Sequence, residues 1–195
     1  YFNGTSRILP PGGGQSVKFA QGFTVQGGGS LAIDTDKVTV VCPKSVTVNS
    51  GGRIAFGSDA KLGAGGGTGS YSLVIDSGGT IESSKQDGLD TVINLSGAVL
   101  DIDPGANLVF SHTTTGFNGT GVSRTPPTIN NLTIDNAPGV QTTLSDGVSL
   151  SVNGGLTVNS GSTLAVGTNA LFLNGPGSGV AGGLTVSDGG MLAVG

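Results

Sequence analysis

This chain is poor in the residues that carry most catalytic and nucleic-acid chemistry. Its 195 residues include no Trp, two Tyr, one Cys and one His, and only eight Lys and Arg. A lone cysteine, Cys42 beside Pro43, rules out an internal disulfide or a thiolate zinc site. It is expected to be a small buried apolar residue. A lone histidine, His112, rules out a cluster of imidazole ligands. Eight dispersed cations in a chain of net charge −4 make a poor phosphate-binding surface, so nucleic acid is not expected as a partner. No apolar run reaches bilayer-spanning length and no amphipathic helical stripe is visible, so membrane insertion is not expected either.

Glycine is abundant instead, at 38 residues. Without a Gly-X-Y period it does not signal collagen. The regular Val, Ile and Leu pairs between the glycines, with low charge, argue against disorder. Those pairs recur as one phrase: apolar-x-apolar, a polar residue, a Gly-rich turn, apolar-x-apolar. Clear copies run from Val46 to Phe56, Leu73 to Ser83, Leu156 to Val166 and Leu184 to Val194; weaker ones begin at Phe23, Leu100 and Leu132. In each, the second pair starts eight residues after the first, and copies begin 23, 27, 27, 32, 24 and 28 residues apart. Short strands and turns at this period mark a solenoid.

Apolar-x-apolar is the period of a strand with one buried face, and Gly, Asn and Asp accept the backbone of tight corners. The expected fold is all-β: a parallel β-solenoid of about seven rungs with a period near 27, forming one body over 1–195. Two inward columns follow, Phe23-Val46-Leu73-Leu100-Leu132-Leu156-Leu184 and Leu31-Ile54-Ile81-Leu108-Val140-Leu164-Leu192. Val46, Val48, Ile54, Phe56, Leu73, Ile75, Leu156, Val158, Leu164 and Val166 are expected in the core. The polar stretch 111–128, with Pro126 and Pro127, reads as an extruded loop. No signal peptide precedes Tyr1 and no polar capping unit is visible, so a mature or excised piece of a longer protein is expected.

The phrases Thr128 to Val140 and Leu150 to Leu164 are similar to repeats of large secreted surface proteins of Bacteroidetes-type bacteria. Gly12 to Ile33 resembles a short strand stack of that group, and the whole chain more loosely resembles autotransporter passengers and filamentous adhesins. The resemblance implies export, by a type IX-like route, and a secreted or cell-surface location with an adhesive role.

Candidate sites are few. Asp76, Asp103 and Asp135 occupy the same place in successive copies, with Asp101 beside them. Stacked carboxylates repel unless relieved, and calcium would relieve them; turn capping is the plainer reading. The outward positions Thr24, Thr47, Val74, Asp101, Thr133, Thr157 and Thr185 form an interrupted Thr column, as suits exposed strand positions. Charge is concentrated in three excursions that break the period, 57–70, 82–90 and 111–128: Asp59, Lys61, Lys85, Asp87, Asp90, His112 and Arg124. With Phe117 as the one plausible stacking platform, Lys85, His112 and Arg124 are the candidates for binding a cell-surface or environmental polysaccharide. Ser111 beside His112 lacks a nucleophile elbow, and the paired-Asp signatures of pectin-type hydrolases are missing. The reading is therefore a non-enzymatic structural or adhesive stalk. The alternatives are a carbohydrate-binding or polysaccharide-degrading β-helix and a filament subunit that associates end to end.

Overall fold

The computed structural model describes residues 1–8, 16–19, 21–33, 39–41, 44–63, 72–93, 99–116, 118–121, 123–175 and 183–194. Every regular element among them is a strand. The first coil holds β1 (Thr5–Ile8) and β2 (Ser16–Lys18). The second holds β3 (Phe23–Val25), β4 (Ser30–Ile33) and β5 (Thr39–Val41), and the third β6 (Val46–Val48), β7 (Arg53–Phe56) and β8 (Lys61–Gly63). Then come β9 (Ser72–Ile75) with β10 (Thr80–Ser83), and β11 (Val99–Ile102) with β12 (Asn107–Phe110). The sixth coil has β13 (Thr128–Ile129), β14 (Asn131–Ile134) and β15 (Gln141–Thr143). The seventh has β16 (Leu150–Val152), β17 (Gly155–Val158) and β18 (Thr163–Gly167), and the last β19 (Leu171–Leu173), β20 (Gly183–Val186) and β21 (Met191–Val194).

One parallel sheet of eight strands, β1-β4-β7-β10-β12-β14-β17-β20, runs through all of these coils. The fold is the expected β-solenoid. Its paired strands lie 25, 23, 27, 27, 24, 24 and 28 residues apart, so the period is nearer 25 than 27. The rung missed in the sequence is β1, whose Thr-Ser-Arg-Ile holds a single apolar residue.

Sheets on the other sides change partway along. A four-stranded sheet β3-β6-β9-β11 and a three-stranded sheet β2-β5-β8 flank the first half; β13-β16-β19 and β15-β18-β21 flank the second. Leu132 therefore does not stack on Leu100, as the copies suggested, but on Leu108. The buried column is Leu31, Ile54, Ile81, Leu108, Leu132 and Leu156, each at most 1% exposed. Phe23, Val46, Leu73 and Leu100 form a separate column that stops at β11. The cause is a corner that migrates. In the first half the glycine turn, with Gly51 at φ 73° and Gly78 at φ 76°, precedes the long-sheet strand. In the second it follows that strand, at Gly139, Gly161 and Gly189. The 32-residue interval in the sequence hid a slip of eight: 24 residues of coil plus one strand and turn.

All ten residues expected in the core are buried. Each inward aliphatic side chain contributes about 1.5–3 kcal/mol relative to exposure. At the N-terminal side Phe2, Phe19 and Phe23 interlock, with ring centroids 5.0–6.3 Å apart. On the last coil Leu184, Val186, Met191 and Val194 are exposed. The segment 111–128 is only partly extruded. Thr113 to Gly116 are exposed, but His112, Asn118 and Thr120 are buried, and Gly119 bridges to Thr143. Cys42 lies outside the described residues.

Candidate functional site

The excursions after β7 and β10 leave the strand ladder on the same side of successive coils. Ser83 sits in the apolar column between Phe56 and Phe110. Its hydroxyl is satisfied there by donating to the Gly88 carbonyl at 2.6 Å while accepting the Lys85 N–H. That pair bends the chain into a tight turn closed by the Gly88 N–H on the Lys85 carbonyl. Gly88 adopts φ 58°, and a side chain there would strike the Thr120 backbone.

This turn carries Lys85 inward. It is 6% exposed, and its Nζ donates to the carbonyls of Ser58 at 3.1 Å and Ala60 at 3.0 Å in the coil below. Burial, which disfavours the charged form, pulls its pKa below the usual lysine value. Asp59 and Asp87 oppose this, and Lys61 adds to it. Around it opens a cleft of about 890 Å³ lined by Asp59, Lys61, Lys85, Asp87, Asp90 and Thr114, among others. Lysine has three donors, and two of Lys85's are spent on carbonyls. The cleft thus offers ammonium donors beside carboxylate acceptors, the pattern that matches a ligand rich in hydroxyl groups.

The other sequence candidates do not join it. His112 is fully buried and stacks on Phe110 at 5.9 Å. Among the described residues neither ring nitrogen meets a partner at full hydrogen-bonding geometry, so it is a core residue rather than a surface ligand. Burial lowers its pKa, with the Ser84 backbone pulling the other way. Arg124 lies beyond Asp90, in the wall of a second groove along β11. Phe117 lies outside the described residues. Ser111 donates to Glu82 at 2.7 Å, not to an imidazole.

The aspartates do not converge as expected. Asp76 and Asp103 do stack, since each donates its N–H to the preceding coil at the same corner. Asp103 accepts the Gly105 N–H at 2.7 Å, a turn-capping contact. Asp101 is exposed on the face of β11. Asp135, however, follows β14 in the long sheet and accepts from Asn159 at 2.7 Å. The corner slip that moved Leu132 moved Asp135 with it. Among the described residues no group of three or more His, Cys, Asp and Glu is placed to hold a metal ion. The Thr column divides in the same way: Thr24, Thr47, Val74 and Asp101 lie on one sheet, and Thr133, Thr157 and Thr185 on another.

Sequence reasoning missed the burial of Lys85 and the buried Asn136. The Asn136 side chain accepts the His112 N–H at 3.0 Å and donates to Val140 and Thr142. The apolar Leu89, Val92 and Ile93, all buried, were the available sign that the charged stretch packs inward. No protein-family model matches this sequence, and neither a curated protein nor a solved structure matches it.

Proposed function

We propose that this chain is a rigid rod segment of an exported, cell-surface protein, with a structural and adhesive role. The observation that supports it is the unbroken eight-stranded parallel ladder over an apolar column at most 1% exposed from Leu31 to Leu156. Such a body gains nearly all its stability from neighbour-on-neighbour stacking, which suits holding distance and displaying side loops. Antibodies against the chain should label intact cells of its host, and protease shaving should release it. Labelling only after cell lysis would overturn the reading.

The cleft around Lys85 favours a second reading, in which the rod binds a polysaccharide through this side. A glycan array with the wild type and with Lys61→Ala and Asp87→Ala tests it. Binding that both substitutions weaken supports the cleft; a blank array leaves the rod as scaffold alone.

A further inference from the structure

The four-stranded sheet β3-β6-β9-β11 ends inside the molecule, not at its tip. β11 pairs with β9 on one side, and no described strand pairs with it on the other. In a continuous solenoid the next coil would supply that partner. Here the next coil passes the same side as Ser123 to Pro126 and stands off, leaving a groove of about 540 Å³ between that segment and β11.

The far wall is fixed. One Asp90 carboxylate oxygen accepts the N–H groups of Ser123 and Arg124 at 2.9 and 3.1 Å and the Ser123 hydroxyl at 2.9 Å. The Thr125 hydroxyl lies 2.8 and 2.6 Å from the carbonyls of Thr120 and Gly121, its one proton shared between them. These bonds hold the segment away from β11, so the groove is preorganised and ordering it adds little to the cost of binding.

The floor has a definite chemistry. Among the described residues β11 offers an unpaired main-chain edge, which templates a further strand. Leu100, half-buried, ends the Phe23-Val46-Leu73 column, which no described strand continues. Val99 is 56% exposed. Asp101, exposed on the same face as Val99, lies between the inward Leu100 and Ile102, and among the described residues it has no hydrogen-bonding or ionic partner.

We propose that the β11 edge is a docking site for an extended peptide of another protein that adds as a parallel strand. The occupant has apolar residues stacking on Leu100 and Ile102 and a basic residue beside Asp101. Main-chain bonds give the affinity. The alternation gives the register, because a slip of one residue would bring apolar side chains to Asp101. The basic residue supplies a cross-strand charge pair.

The test uses the full chain and a fluorescein-labelled eight-residue peptide of alternating Ile and Lys, read by polarisation. A second peptide is N-methylated on alternate amides to block strand pairing. Saturable binding of the first, weakened about fivefold or more by N-methylation, supports the site. So does an Asp101→Lys variant that prefers alternating Ile and Glu. Equal binding of the methylated peptide would mean surface adsorption and overturn the proposal, as would no saturable binding. An unchanged preference in Asp101→Lys also overturns it. Should that variant fail to fold, amide shift changes in wild type decide: confined to residues 99–102 and 123–126 they support the site, and elsewhere they overturn it.

Discussion

Asp90 reaches from one coil's side excursion to the next and accepts two hydrogen bonds from Ser123, one from its N–H and one from its hydroxyl, both at 2.9 Å. With the Arg124 N–H on the same oxygen, this carboxylate pins the chain where the sheet of β11 is interrupted. Bonds to a charged acceptor are worth more than neutral ones. Asp90→Ala should cost about 1–3 kcal/mol in denaturant unfolding. Asp90→Asn, which keeps an acceptor oxygen, should lose less. Hydrogen exchange at the Ser123 and Arg124 amides should rise in both, and unchanged protection would show that other contacts hold the segment.

The register through the interruption can be measured. Leu132 opposes Leu108 in the long sheet, whereas the spacing of the copies set it on Leu100. A double-alanine cycle on Leu108 and Leu132 should give a coupling of about 0.5–3 kcal/mol, and one on Leu100 and Leu132 should be near additive. Singly, Leu132→Ala should cost about 2–5 kcal/mol. Leu184→Ala, at a position 50% exposed, should cost much less.

That register marks how far the sequence could be read. Val46, Val48, Ile54 and Phe56 were legible because alternation and a Gly-Gly corner leave one inward face. The same alternation could not say which corner of the coil a glycine turn occupies, so Leu132 and Asp135 were set one strand out of place. β1 was illegible because its alternate inward position is Ser6, opposite Leu31. Lys85 read as a charged excursion residue and Asn136 carried no signal at all; their burial depends on carbonyls and hydroxyls from coils about 25 residues away, which no local pattern encodes. The open edge of β11 is legible only when the partner strand is seen to be missing.

Lys85 joins two coils through the Ser58 and Ala60 carbonyls. Lys85→Ala removes both donors and leaves a void under a buried stem, so it should destabilise by about 2–4 kcal/mol. Lys85→Arg keeps donors but adds bulk in a closed site and should recover only part of the loss. A thermal melt of Lys85→Ala within error of wild type would show that the cleft is not built around this cation.

His112 makes stability depend on pH in one direction. In the unfolded chain it titrates near its ordinary value of 6.5, and burial holds the folded value lower. Between the two values the unfolded state carries more protons, so stability is lost as pH falls from about 6.5 through the folded pKa, and is complete above that window. Carboxylates titrate below about pH 5 as well. The measurement is therefore the difference in melting between wild type and His112→Phe across this range. That variant keeps the stack on Phe110 and has no proton to gain. The two curves should run parallel above about pH 7 and diverge below it, with wild type falling faster. Parallel curves throughout would mean that the ring finds a partner when charged.

The last coil predicts association of the 195-residue chain. Leu184 and Val186 continue the inward columns of Leu156 and Val158, yet they are 50% and 42% exposed, and Met191 and Val194 are 53% and 75% exposed. Among the described residues β20 and β21 end their sheets without a further neighbour, so open backbone groups border an apolar face. That combination templates strand pairing, and a contiguous apolar patch adds to it. The other end differs. The strand that would receive β20 is β1, where Ser6 and Arg7 stand between Thr5 and Ile8, so head-to-tail stacking would set Ser6 against Leu184. A like-with-like contact, last coil to last coil, buries more apolar surface and closes as a dimer, whereas a head-to-tail contact stays open and grows. Light scattering over a concentration series should therefore reach a dimer plateau, and Val186→Lys with Met191→Lys should return the chain to monomer. Growth without a plateau would favour the head-to-tail filament, and a monomer at every concentration would show that the exposed coil is not sticky enough to pair at all.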